Sequence, residues 1–134
     1  MSKIVIIGAG AMGSAFALPC LDNNHDINIV GTHLENDFID DLKKNDNLHP
    51  GLKTKIPKEI NIFKFEKFDE LLKSNVDLIV LGISSKGIEW VSDQICRLYK
   101  DKKVPKLLML TKGLSIYNNN YELLVDKLER LLKS

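Results

Sequence analysis

Short β-branched runs alternate along this chain with stretches whose apolar residues recur every three to four positions. Lys3 to Ile7 predicts a buried strand, and Gly8 to Gly13 interrupts it. A helix is expected from Gly10 to Asp22, with Phe16, Ala17, Cys20 and Leu21 on its apolar side. Pro19 predicts a kink or an early loosening there, because it lacks the amide hydrogen and crowds Ala15. Ile27 to Gly31 reads as a second strand, and Glu35 to Lys44 as a short amphipathic helix. Asn45 to Pro57 is loop-like. Ile60 to Phe65 alternates as an edge strand, Phe68 to Lys73 is a short helix, and Asp77 to Gly82 is a strongly apolar fourth strand. A helix over Gly87 to Tyr99, a fifth strand over Lys106 to Leu110 and a last helix over Tyr121 to Leu132 complete the pattern. Asn118, Asn119 and Asn120 read as the loop before that helix.

Strand and helix alternate throughout. That order predicts an α/β, doubly wound Rossmann-type parallel sheet with helices on both faces. The chain has 134 residues, enough for one domain, so residues 1–134 are read as a single dinucleotide-binding domain. A formal net charge of +1 gives no ground for nucleic acid as a partner. No apolar run approaches the ~20 residues of a membrane span, and the start lacks the pattern of a signal peptide, which makes the cytoplasm the expected location. Cys20 and Cys96 are expected to be buried, reduced thiols. No metal-ligand spacing and no Ser-His-Asp set is present, so no metal is expected. Trp90 and Phe16 are expected in the core.

Gly8-Ala9-Gly10-Ala11-Met12-Gly13 has G-x-G-x-x-G spacing in the context that gives it meaning, after a strand and opening a helix. Gly8 permits the tight turn, Gly10 lets backbone approach a pyrophosphate, and Gly13 lets the helix sit close to the sheet. The amides of Ala11 and Met12 then favour phosphate charge. An acid about 20 residues further on would signal NAD. The tip of the second strand instead reads Val30-Gly31-Thr32-His33, and Glu35 falls where capping explains it. Thr32 and His33 can donate to a 2′-phosphate, so the cofactor is expected to be NADP or NAD, without exclusion of the phosphorylated form. Ser84 and Ser85, after the fourth strand, either bond the cofactor or cap the next helix. Lys112, at the tip of the fifth strand, suits a phosphate or a polarised carbonyl, or is a solvated lysine. His49 reads as an exposed loop histidine.

With these residues in place the chain resembles the N-terminal, cofactor-binding domain of NAD(P)-dependent glycerol-3-phosphate dehydrogenase, especially its archaeal type. The resemblance rests on Ile7 to Ala15, Val30-Gly31-Thr32, His49-Pro50, Leu81 to Ser84 and Leu110 to Leu114, of which Thr111-Lys112-Gly113 is the most specific. It implies an oxidoreductase of glycerophospholipid metabolism that reduces dihydroxyacetone phosphate, a small phosphorylated substrate, to sn-glycerol 3-phosphate. It places Ala11 and Met12 at the cofactor pyrophosphate, Thr32 and His33 near the adenosine ribose, and Lys112 between nicotinamide and substrate. It also implies a C-terminal helical domain, absent from these residues, that brings the main catalytic lysine, whether on the same or a separate chain. The chain alone is then expected to bind cofactor and turn over little. A domain apart from that partner should expose an apolar face beside the fifth strand and last helix. Two other readings stay open: the same domain of a ketopantoate reductase or hydroxyacyl-CoA type of dehydrogenase, and a non-catalytic nucleotide-sensing module, which would form a homodimer.

Overall fold

The computed structural model describes residues 2–111 and 113–133, with Leu114 described by its backbone alone. Five strands form one parallel sheet: β1 (Lys3–Ile7), β2 (Asp26–Val30), β5 (Asn61–Phe63), β6 (Leu78–Leu81) and β7 (Lys106–Met109). Their order across the sheet is β5-β2-β1-β6-β7, with every pair parallel. The chain therefore runs outward from β1 in one direction, returns, and continues outward from β6 in the other. Ile7 lies level with Val30 on one side and Leu81 on the other. The carboxyl ends of the three central strands are thus aligned, and the switch point falls between β1 and β6.

The centre of the sheet is buried on both faces, and the side chains of β1 are apolar at every position after Lys3. Ile4 and Ile6 join one core cluster with Ala17 of α1 (Ala11–Asp22) and Ile39 of α2 (Asn36–Lys44). Val5 and Ile7 join the other with Phe68 of α3 (Phe68–Lys73), Ile95 of α4 (Ile88–Leu98) and Leu128 of α5 (Leu124–Lys133). Alternate residues of a strand point to opposite faces, so an unbroken apolar run demands helices on both sides. α1 runs through to Asp22 with Pro19 inside it, and the Asn23 side chain donates to the Pro19 carbonyl at 2.8 Å. Both cysteines are free, but Cys20 is half-buried and Cys96 is exposed on α4 rather than buried.

Two hairpins depart from the sequence reading. The loop after α2 contains β3 (Leu48–His49) paired antiparallel with β4 (Thr54–Lys55). After the fifth strand, β8 (Leu114–Tyr117) pairs antiparallel with β9 (Asn120–Leu123), which takes up the end of the expected loop and the first expected helical turn, so the last helix starts three residues later than Tyr121, at Leu124. The cause is Asn118 and Asn119, at φ 50° and 65°. A two-residue hairpin turn of the primed type needs positive φ at both central positions, and asparagine tolerates it. Tyr121, expected on the apolar helix face, is 79% exposed on β9. Leu108 on the outer strand β7, Ile116 and Leu123 on the hairpin and Val125 at the start of α5 are exposed as well.

The second hairpin is fastened to α5 by charge. Arg130 donates to both carboxylate oxygens of Glu122 at 3.0 Å and lies 3.7 Å over the Tyr117 ring. The Arg130 bonds hold the Glu122 carboxyl below the usual glutamate range. A depressed folded value means that this tie is fully present above the unfolded pKa and is lost as pH falls through the folded one. Hydrogen-exchange protection of the β8–β9 amides is therefore expected to fall in acid before that of β1 and β6. Equal loss in both places would refute the tie.

Candidate dinucleotide site

A cleft of about 480 Å³ opens over the carboxyl ends of β1, β2 and β6. Gly8, Gly10, Thr32, His33, Glu35, Gly82, Ser84, Lys86 and Trp90 are among its lining residues. The floor depends on two backbones in near contact. Gly8 has φ +110°, and a Cβ there would lie 2.4 Å from the Gly82 carbonyl oxygen. Gly13 lies beneath, where a Cβ would come 2.7 Å from the Gly8 carbonyl oxygen. Gly13 is buried and does not line the cleft, which fits its expected role in seating α1 on the sheet.

α1 begins at the cleft edge. Gly10 is its N-cap and supplies no side-chain acceptor, and the first helical bond runs from the Ser14 amide to the Gly10 carbonyl at 3.0 Å. The helix start therefore presents backbone donors, with Ala11 and Met12 exposed beside Gly10. Thr32 and His33 follow β2 on the cleft wall, as expected from sequence. Ser84 is exposed on the opposite loop, and its hydroxyl caps no helix. Lys112 lies outside the described residues. Its neighbour Thr111 donates its hydroxyl to the Ile83 carbonyl, which ties the end of the segment after β7 to the cleft wall.

Four residues of the site were not read from the sequence as such. Trp90, expected in the core, is half-buried on the cleft wall, with the His33 ring 4.9 Å from its own and tilted by 38°. Phe65 and Phe68 back it, each 5.8 Å away. Its position in the first turn of the helix after the fourth strand was the available signal. Glu35 is the N-cap of α2 but does not cap it with its side chain. Its carboxylate instead accepts from the Thr32 amide at 2.9 Å and the Ala9 amide at 3.2 Å, so an acid does stand at the tip of β2 in space. Lys86 lines the same cleft. His49 is buried rather than exposed, because its ring turns inward to the Ala9 carbonyl, 2.9 Å away. Among the described residues, no group of three His, Cys, Asp or Glu side chains can hold a metal, and no helix is long and apolar enough to cross a membrane.

Comparison with known proteins gives the site its context. The N-terminus model of NAD-dependent glycerol-3-phosphate dehydrogenase matches residues 3–134. The chain is 31% identical over 117 residues to the NADP(+)-dependent glycerol-3-phosphate dehydrogenase of Archaeoglobus fulgidus, covering 87% of this chain and 33% of that protein. It is 32% identical to glycerol-3-phosphate dehydrogenase [NAD(P)+] of Shouchella clausii over 85% of this chain and 32% of that one. It thus spans about a third of the length of these curated relatives. Among solved structures, glycerol-3-phosphate dehydrogenase of Coxiella burnetii superposes with a TM-score of 0.71 over 98% of this chain and 36% of that chain, at 19% identity, a likeness of fold. The match over nearly every residue, on a cleft built by the glycine loop and the strand tips, shows that the chain belongs to the NAD-dependent glycerol-3-phosphate dehydrogenase family, to the N-terminal part of which residues 3–134 correspond.

Proposed function

We propose that these residues bind NADP or NAD for interconversion of sn-glycerol 3-phosphate and dihydroxyacetone phosphate. Gly10 carries the reading. Its backbone is extended, at φ −69° and ψ −178°, so conformation does not require glycine. A Cβ there would meet no atom within 4 Å, so packing does not require it either. A ligand that must touch the backbone at the cleft edge does. The pyrophosphate is then met by the amides of Ala11 and Met12, and the adenosine end lies toward Thr32, His33 and Trp90. The nicotinamide, when bound, supplies or accepts the hydride. Lys112, which follows the anchored Thr111 in sequence, is the residue proposed to orient substrate beside it.

The Glu35 carboxylate is already engaged by two backbone amides, and His33 and Lys86 share the cleft. A carboxylate turned to two backbone amides is less available to a ribose 2′-hydroxyl, and the two basic side chains attract a 2′-phosphate that it would repel. NADP and NAD are therefore expected to bind within about tenfold of each other. Trp90 is the sole tryptophan of the chain and lies in the cleft, so its fluorescence reports binding directly. Titration with NADPH and NADH should give a saturable quench for both. No saturable change with either would refute the cofactor reading, and a preference beyond about a hundredfold would refute shared use.

Hydride transfer to dihydroxyacetone phosphate is proposed to need residues in the two-thirds of the relatives that this chain does not match. The exposed Leu108 of β7 and Ile116, Tyr121 and Leu123 of the second hairpin supply apolar surface for such a domain, on this or another polypeptide. Two free cysteines suit a reducing cytoplasm.

A further inference from the structure

We infer that His49 is a positioning residue for the glycine-rich loop, fixing through its Nε2–H the peptide that joins Ala9 to Gly10. The inference rests on the cofactor reading above. His49 is 2% exposed, though it belongs to a hairpin whose second strand is wholly solvent-facing. Its Nδ1 accepts from the amides of Gly51 at 3.0 Å and Leu52 at 3.3 Å. A ring nitrogen facing two donors carries no proton, so the proton sits on Nε2, 2.9 Å from the Ala9 carbonyl oxygen. Phe38 packs edge-on against the ring at 5.3 Å. The buried Ser14 hydroxyl donates to the same carbonyl at 3.2 Å.

The peptide on the other side of Ala9 is held separately, by Glu35 on the Ala9 amide. Side chains from the hairpin, α1 and the start of α2 thus grip both backbone groups of one loop residue. The Ala9 carbonyl and the Gly10 amide belong to one planar unit and point in opposite directions. Drawing the carbonyl inward to His49 and Ser14 turns the Gly10 amide outward, to the cleft that Gly10 lines. The hairpin therefore acts on the pyrophosphate subsite through the orientation of one peptide.

Two substitutions separate this role from hairpin folding. In His49→Asn the side-chain oxygen can still accept from Gly51 but no donor reaches Ala9. In His49→Gln the side-chain nitrogen can reach Ala9. Amide NMR titrations with ADP-ribose, which carries the pyrophosphate, and adenosine, which does not, supply the readout. His49→Asn is expected to weaken ADP-ribose by about tenfold and adenosine by less than about twofold, with His49→Gln within about threefold of the parent. Ring nitrogen shifts should show the Nε2-protonated tautomer. Unchanged ADP-ribose affinity in His49→Asn, equal loss of both probes, or an Nδ1-protonated ring would overturn the role. Should His49→Asn fail to fold, the ring-nitrogen shifts of the parent still test the role, and a proton on Nδ1 would overturn it. A parent chain that binds no ADP-ribose would instead overturn the cofactor reading, and this inference with it.

Discussion

Gly10→Val is expected to lower dinucleotide affinity by more than about a hundredfold while shifting the melting temperature by only a few degrees. The fold has no reason to object. Gly10 already has an extended backbone that valine adopts readily, and its Cβ would enter open space. The only structural penalty is a poorer helix N-cap, worth about 1 kcal/mol or less when glycine is the starting residue. The ligand has every reason to object. A pyrophosphate seated on the first amides of α1 must come within van der Waals reach of the Gly10 backbone, and a branched side chain fills that space. Trp90 fluorescence measures the affinity and a thermal melt the stability. Near-parental affinity in a folded variant would mean that the backbone at Gly10 does not face the cofactor.

Gly8→Ala should show the reverse pattern, a loss of about 3–5 kcal/mol in stability and a melting point lower by about 10–20 °C. Two costs combine. Gly8 has φ +110°, a region that side-chain-bearing residues seldom occupy. The added carbon would also lie 2.4 Å from the oxygen and 2.9 Å from the carbonyl carbon of Gly82. Neither neighbour is a flexible side chain. The Gly82 amide is bonded to the Ile7 carbonyl at 2.9 Å, so moving it away disturbs the ladder between the two central strands. A melting point within about two degrees of the parent would show that the close approach relaxes cheaply. Residues two apart in one motif are thus expected to fail in different assays, Gly8 in folding and Gly10 in binding.

Much of this was legible in one dimension. The run Ile4 to Ile7 has no polar face, so it had to be a strand covered on both sides, and parallel sheets are where such strands occur. The apolar spacing of Ile88, Val91, Ile95 and Leu98 set α4 almost to its ends, because a buried helical stripe repeats with the helix period. The glycine spacing marked the turn from β1 into α1. The β8–β9 hairpin was not legible. Leu124 and Leu128 continue a helical stripe that Tyr121 extends by chance, and the asparagine turn that breaks it depends on two backbone angles.

The site divides in the same way. That Gly8, Gly10, Thr32, His33 and Ser84 share one cleft followed from position alone, since the carboxyl ends of parallel strands must share one edge of the sheet. Glu35, His49 and Trp90 were not, because each acts across a distance that spacing does not encode. Glu35 is 26 residues from the Ala9 amide it holds, and His49 is 40 residues from the Ala9 carbonyl. The sequence by itself determined the five strands of the parallel sheet, the doubly wound order and the glycine turn, because those follow from local periodicity and from glycine's missing side chain. Only the tertiary structure decided which side chains grip that turn. A hydrogen bond between distant segments is specified by how the chain packs, and no local pattern announces it.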